Sequence, residues 1–416
     1  MIVSIIGLGY IGLPTAAVLA SKDIKVVGVD VSQYVVDTIN QGKIHIIEPG
    51  LDALVREAVQ KNHLKAVINP EKADVFMIAV PTPFKGNHEP DLSYIRLAAK
   101  AIAPVLEKGN LVILESTSPV GATEKMMTWM QEERLDLSFP EFGNNNFIAD
   151  IAVAHCPERV LPGQVVRELI ENDRIIGGVT DYCAKQAKDL YKVFVDADCL
   201  LTDCRTAELS KLVENSFRDV NIAFANELSL ICDKLGINVW KLIELANHHP
   251  RVNILQPGPG VGGHCIAVDP WFIVDSAPDE AKLIRAARLV NDNKPNFVLG
   301  KIDKAVKAIG KNKSDLKIAC LGLSFKPDID DLRESPALSI AGKIGLMGFS
   351  ELFLVEPNIS SIPDKLKGES ISITSADKAI KAADIVVLLV DHTPFKKMDL
   401  EVLSGKQIVD TRGIWS

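Results

Sequence analysis

The sequence predicts an α/β chain of two Rossmann-like doubly wound domains joined by a central long helix and helical region. Three observations predict it. Short β-branched runs that end in glycine-rich or acidic turns recur through the first half. The last quarter repeats that strand–turn alternation. Between them lies an apolar-periodic stretch from Thr206 to Gly236 with no strand signal. The expected boundaries are 1–200 for the first domain, 201–298 for the helical region and 299–416 for the last domain.

Composition narrows the classes further. The chain has 416 residues, 47% hydrophobic and 24% charged, which fits full cores in two or three domains. A net charge of −8 and the absence of a basic, aromatic-interleaved patch argue against nucleic acid as a partner. Met1–Ile6 reads as a strand rather than a signal peptide, and the longest apolar runs, such as Ile385 to Val390, are too short for a bilayer. No membrane partner is expected. Seven cysteines without CxxC spacing support neither a disulfide framework nor zinc, so a cytoplasmic location is expected. His248 and His249 are adjacent and point apart on any regular element. No metal is expected.

In chain order, residues 2–6 form a buried strand that runs into Gly7-Leu8-Gly9-Tyr10-Ile11-Gly12. A second strand at 26–29 ends on Asp30. Strand, GxGxxG, helix, strand and terminal acid at this spacing describe a dinucleotide site. Its glycines admit a pyrophosphate to the backbone, and the helix N-terminus stabilises it. Asp30 would accept hydrogen bonds from the adenosine ribose diol and repel a 2′-phosphate, so NAD is expected rather than NADP. Further strands at 75–80 and 111–114 end near Thr82, Thr117 and, a little further on, Thr123, which become candidates to touch the dinucleotide, and a strand at 151–155 runs into Cys156-Pro157-Glu158. Residues 131–150 read as a surface loop.

The helix from Thr206 is closed by Gly236. Leu209, Leu212, Val213, Phe217, Val220, Phe224, Leu228, Ile231 and Leu235 form a stripe expected to bury it, or to meet another copy. Glu208, Lys211, Asn215 and Arg218 fall together within roughly 80° of arc. A helix at 239–246 leads to Gly258-Pro259-Gly260-Val261-Gly262-Gly263-His264-Cys265, with Asp269 four residues beyond the thiol. A thiol on a rigid glycine loop is a candidate nucleophile. Residues from Asp279 to about Ile309 are helical. Strands at 316–321, 384–390 and 407–410 then form a second α/β unit without GxGxxG. Lys326, Arg333 and Arg412 lie at its strand ends and loops.

These motifs together resemble the UDP-sugar 6-dehydrogenases, the family of UDP-glucose dehydrogenase. Gly7–Pro14, Pro81–Pro83, Ser116–Val120, Cys156–Glu158, Ala207–Asn215, Gly258–Asp269 and Gly322–Pro336 match family motifs in order along essentially the whole chain. The resemblance implies a four-electron oxidation of a sugar C6 alcohol to a carboxylate with two NAD. Cys265 would be the nucleophile, Lys211 the acid/base, Asn215 a ligand of the C6 oxygen or a water, Asp269 a base partner and Glu158 a wall of the cavity. It also implies UDP-sugar contacts at Arg159, Val160, Arg218, His249, Arg251, Gly262, Phe325 and Lys326, an NAD contact at Arg333, and a homodimer or higher homo-oligomer. UDP-glucose enzymes usually carry serine and lysine where this chain has His264 and Val268. That departure moves the expected substrate to UDP-N-acetyl-D-mannosamine, with UDP-N-acetylglucosamine or UDP-glucose as alternatives. A two-electron β-hydroxyacid dehydrogenase shares the lysine–asparagine helix but needs no thiol loop.

Overall fold

A computed structural model describes every residue except 87, 162, 264, 364, 365, 367, 369 and 416. The departure at His264 therefore lies outside the described residues. The chain divides into two compact units: residues 1–214 with 275–277, and residues 215–274 with 278–416.

The strands of the first unit are β1 (Ile2–Ile6), β2 (Lys25–Val29), β3 (Leu64–Val67), β4 (Val75–Ile78), the small pair β5 (Phe84–Lys85) and β6 (Glu89–Pro90), β7 (Leu111–Leu114), β8 (Ala152–His155), β9 (Arg174–Gly178) and β10 (Cys199–Asp203). Eight of them make one sheet in the order β10-β9-β8-β7-β4-β1-β2-β3. It is parallel throughout except where β8 meets β9. Hydrophobic clusters cover both faces, which is why β1, β4 and β7 read as continuous apolar runs. The order reverses at β1, so a crevice opens past the carboxyl ends of β1 and β4.

The second unit carries β11 (Lys317–Leu321), β12 (Glu351–Val355), β13 (Ile371–Ile373), β14 (Ile385–Leu388) and β15 (Gln407–Asp410), all parallel, in the order β13-β12-β11-β14-β15. Clusters again cover both faces. Its opening repeats that of the first sheet. Gly7 and Gly322 adopt φ of +94° and +91°. Each donates its N–H at 2.8 Å to the last residue of the second strand, Val29 or Val355. The next leucine, Leu8 or Leu323, donates to the acid after that strand, Asp30 at 3.0 Å or Glu356 at 2.7 Å. Ser324 stands where the first copy has Gly9. It is fully buried, with its hydroxyl bonded to the Lys326 carbonyl at 2.7 Å.

The central helix spans Cys204–Leu235. Asp203 starts it by accepting from the Thr206 N–H at 2.9 Å and its hydroxyl at 2.6 Å. Gly236, at φ +68°, ends it. Leu212 of the apolar stripe is fully buried, but most of the stripe is not covered by this chain. Val213, Phe217, Phe224 and Leu235 are 48, 71, 53 and 64% exposed, whereas Glu208, Ser216, Asp219 and Asn226 are buried. Periodicity locates a stripe but does not say which side the same chain covers. The helix Lys282–Ile309 supplies partners for Asp219 and Asn226.

Candidate active site

The nucleotide crevice of the first unit is built by its glycines. A Cβ at Gly12 would lie 1.9 Å from the Gly7 carbonyl, so strand and helix could not approach. At Gly9 the space is open, with nothing within 4 Å, where a pyrophosphate would lie against the backbone. Tyr10 is 45% exposed and Ile11 caps the helix Gly12–Ser21. Asp30 is fixed by two backbone donors, Leu8 at 3.0 Å and Ser32 at 2.9 Å. Each carboxylate oxygen keeps a lone pair for a ribose hydroxyl. These residues fit NAD. Asp30→Ala is expected to narrow the NAD-over-NADP preference on the order of tenfold, by removing repulsion of a 2′-phosphate. Initial rates with each cofactor check this, and an unchanged ratio would count against the role of Asp30.

Two of the three threonines meet in this crevice. The hydroxyl of Thr82, after β4, donates to the Thr117 carbonyl, after β7, at 2.6 Å, and both residues are half-buried. Thr123, the third, is bonded within the fold. It is fully buried, and its hydroxyl donates to Glu208 at 2.6 Å. Glu208 also accepts from the Thr123 N–H at 2.8 Å and the Gly121 N–H at 2.6 Å. It is thus the N-terminal cap of the helix Ala122–Glu133, delivered by the central helix, and not a member of a solvated polar face.

Glu158, past the end of β8, sits in a buried cluster that sequence reasoning missed. It accepts from Arg174 at 2.6 Å, with the two side chains 6 and 1% exposed, and from the Arg159 N–H at 2.6 Å. Glu115, past the end of β7, is wholly buried and accepts from the Tyr191 hydroxyl at 3.2 Å. Burial, and then the nearby Glu158 charge, push the Glu115 carboxyl up to about 8. The unfolded chain would ionise this group near the usual carboxylate range while the folded one holds its proton. The contribution of this group to stability is therefore fully present below the usual carboxylate range and is lost as pH rises towards about 8. Glu115→Gln is expected to flatten this fall and raise the Tm at pH 9 relative to the wild type. Each kcal/mol regained corresponds to about 2–4 °C. A calorimetric scan at pH 6 and pH 9 checks it, and a variant that loses stability equally at both would contradict it.

Arg159 holds the Glu214 carboxylate with two nitrogens, at 2.6 and 3.1 Å, and Val160 is half-buried beside the first core. Lys211 is half-buried on the central helix, one turn before Asn215.

In the second unit, Asn215 donates to Asp269 at 2.5 Å. Asp269 is buried and opens the helix Asp269–Ser276, whose N-terminus favours its negative charge. Its N–H donates to the Cys265 carbonyl at 2.8 Å, closing the turn that carries the thiol. The glycine loop before the thiol is clamped. A Cβ at Gly262 would lie 2.6 Å from the Glu334 carbonyl and 2.9 Å from Phe325 Cβ. Gly263, at φ +82°, faces the Phe325 ring. At the start of the loop, the Gly258 N–H donates to Asn226 at 2.9 Å. Asn226 donates to Asn291 at 2.8 Å, Asn291 to Asp219 at 2.8 Å, and Arg288 to Asp219 at 2.5 Å. All four side chains are buried, so the loop hangs on a polar network whose members pair with one another.

Cys265 is the one exposed cysteine among the described residues. Burial pushes the thiols of Cys156, Cys204 and Cys320 up to about 12, where they do not react at neutral pH. None of the seven forms a disulfide. No group of three His, Cys, Asp or Glu able to hold a metal occurs among the described residues, and no helix there is long and apolar enough to cross a membrane.

The remaining expected contacts lie on loops of the second unit or on the central helix. Arg218, His249, Arg251 and Lys326 are exposed. The Arg251 N–H donates to His249 Nδ1 at 3.3 Å. Arg333 is held by its neighbour Asp331 through Nε at 2.9 Å and Nη2 at 2.6 Å. Arg412 pairs with Asp391 at 2.8 Å.

Comparison with known proteins extends this. Residues 1–195 match the NAD binding domain of the UDP-glucose/GDP-mannose dehydrogenase family, 205–293 its central domain and 319–416 its UDP binding domain. The chain is 63% identical to UDP-N-acetyl-D-mannosamine dehydrogenase of Campylobacter jejuni, covering 98% of each. It is 59% identical to NDP-N-acetyl-D-galactosaminuronic acid dehydrogenase of Ralstonia nicotianae, covering 100% of this chain and 96% of the other. The solved UDP-D-ManNAc dehydrogenase of Pyrococcus horikoshii superposes with a TM-score of 0.87 at 40% identity, over 100% of this chain and 96% of that one. With all three family domains in order and full-length relatives above half identity, this chain belongs to the UDP-glucose/GDP-mannose dehydrogenase family and is an NAD-binding oxidoreductase.

Proposed function

We propose that the chain oxidises UDP-N-acetyl-D-mannosamine to UDP-N-acetyl-D-mannosaminuronate in two two-electron steps. The observation that carries this reading is the single exposed thiol, Cys265, at the end of a clamped glycine loop, one turn before the Asn215–Asp269 pair. NAD supplies a hydride acceptor for each step. In the first, Lys211 takes the proton of the C6 hydroxyl and stabilises the developing negative charge on that oxygen. The Cys265 thiolate adds to the aldehyde carbon, and Lys211 returns a proton to the resulting thiohemiacetal oxygen. Lys211 takes the thiohemiacetal hydroxyl proton again as the second hydride leaves, and the product is a thioester on Cys265. Water, positioned by Asn215 and Asp269, cleaves the carbon–sulfur bond, releasing the carboxylate and regenerating the thiol. Asp269 suits this role because its orientation is set by Asn215 and by the helix it opens. Glu158, held by Arg174, is assigned to the cavity wall because the family resemblance implies it.

Arg159, Val160, Arg218, His249, Arg251, Gly262, Phe325 and Lys326 are assigned to the UDP-sugar, and Arg333 to NAD. Relatives that share this chain's length are named for N-acetylated sugars, which favours an acetamido group at C2. A substrate lacking it would leave polar groups of the pocket unpaired, at about 1–3 kcal/mol for each. The Ralstonia relatives, at 59% identity, bring the galacto sugar into the comparison as well. The test is kcat/KM for pure UDP-N-acetylmannosamine, UDP-N-acetylglucosamine, UDP-N-acetylgalactosamine and UDP-glucose with no epimerase present. A higher value for any sugar other than the manno epimer overturns the substrate assignment.

The exposed stripe of the central helix supports a homodimer. Val213, Phe217, Phe224, Ile231 and Leu235 lie along one side of a helix about 48 Å long, and a second copy would remove them from water. Sedimentation equilibrium showing a monomer would contradict this. The thiols without disulfides fit a cytoplasmic enzyme that supplies uronate for surface polysaccharide of the enterobacterial common antigen or capsule type.

A further inference from the structure

A cavity lies in the second unit, and Cys265 is not among the residues that line it. Its volume is about 210 Å³, and its walls include Ser229 and Asp233 of the central helix, Trp240, Pro257, and Lys294 and Lys301 of the helix Lys282–Ile309. Lys294 sets its chemistry. This residue is 5% exposed, its amine donates to the Ser229 hydroxyl, and it lies 4.6 Å from the centre of the Phe297 ring. Neither partner carries a negative charge. The carboxylates nearby are already engaged. Asp233 is paired with both Lys301 and Lys304, each at 3.0 Å. Asp410 accepts from the backbone N–H groups of Arg412, Gly413 and Trp415. Desolvation, and then the Lys301 charge, lower the Lys294 amine to about 8, against a smaller opposing pull from Asp233, which is itself shared with Lys301 and Lys304. An anion in the cavity would offset that desolvation, and Trp240 and Phe297 offer flat apolar surface to the rest of the molecule.

The cavity also adjoins the support of the catalytic loop. Pro257 lines it and directly precedes Gly258. Ser229, the partner of Lys294, donates to the Asn226 carbonyl at 2.5 Å, and the Asn226 side chain holds the Gly258 N–H. Lys294 follows Asn291 by one turn, and Asn291 accepts from Asn226. A ligand that moves Lys294 or Ser229 thus acts on the groups that fix the loop.

We propose that this cavity is a regulatory site for a small metabolite bearing one carboxylate or phosphate group, held by Lys294 and Lys301, and that its occupancy acts on the Cys265 loop through Asn226 and Pro257.

The test titrates inorganic phosphate and, separately, benzoate into the full-length protein at constant ionic strength set with chloride. Binding is read by calorimetry and Tm. Saturable binding is expected for at least one probe, and the tighter one tells phosphate from carboxylate. Affinity should fall as pH rises through about 8, as Lys294 loses its proton beside Lys301, Asp233 and Asp410. Lys294→Met should weaken binding about tenfold or more. If that variant does not fold, Lys301→Met, at the half-exposed rim, should weaken it severalfold. No saturable binding of either probe, or binding that survives both substitutions, overturns the site, since the latter belongs to the nucleotide pocket. The rate arm rests on the proposed oxidation, whereas the binding arm does not. At saturating probe, kcat should change in a way that extra sugar and NAD do not reverse. Binding with kcat unmoved would overturn the coupling to the loop alone.

Discussion

Cys265→Ala is expected to lower production of the uronate by about 10⁴-fold or more, the scale on which a covalent nucleophile is lost. NAD binding should stay within about twofold, because the crevice of Gly7, Gly9, Gly12 and Asp30 belongs to the other unit of the chain. The six remaining cysteines are buried, so no neighbouring thiol substitutes. Cys265→Ser is the more informative replacement. Its hydroxyl can still add to the aldehyde, but the oxidised intermediate is an ester, and an ester is cleaved by water more slowly than a thioester. Intact-mass spectra of Cys265→Ser after mixing with substrate and NAD should show an adduct. Full acid production by Cys265→Ala would remove the nucleophile from the account.

Lys211→Ala is expected to lower kcat by about 10²–10⁴-fold, with KM for the sugar changed much less. The reason is timing. The C6 oxygen carries little charge in the bound alcohol and most of it in the transition state, so an ammonium aimed there acts mainly on the barrier. Lys211 and Asn215 lie one turn apart on the central helix, which is why the proposal assigns both to the same substrate oxygen. Exogenous primary amines should restore part of the rate to Lys211→Ala and none to Asn215→Ala. A variant altered only in KM would show that Lys211 binds substrate rather than moving its proton.

The parts of the fold that were legible in the sequence share a physical cause. β1, β4 and β7 are covered on both faces, so their residues are apolar with the single exception of the buried Ser4. Gly7 and Asp30 each meet a backbone demand that few residues satisfy. β9 escaped notice because Arg174 at its start is polar for a purpose, the buried pair with Glu158, and two glycines end it. β12 begins on an exposed-side glutamate and follows a turn, so only its last residues look like a core strand. The central helix was recognised as a helix, while most of its apolar stripe is not covered by this chain. Its buried side holds Asp219 and Asn226, and their partners Arg288 and Asn291 lie 65 or more residues away. No local pattern reveals a pairing at that separation. The Thr123–Glu208 bond was hidden for the same reason, since the two residues lie 85 apart. In the candidate site, Cys265 stood out because glycines on a ligand-facing loop are conspicuous. Glu115 and Arg174 did not, because a lone acid and a lone base far apart in sequence look like surface charges.

The central claim is that one active thiol retains the aldehyde so that both oxidations occur before release. The stoichiometry of NADH to sugar, measured to completion with limiting UDP-N-acetylmannosamine and excess NAD, tests it most directly. The account predicts two NADH for each sugar consumed, with the uronate as product and no aldehyde trapped by added semicarbazide. One NADH per sugar, with the aldehyde recovered as its semicarbazone, would contradict it.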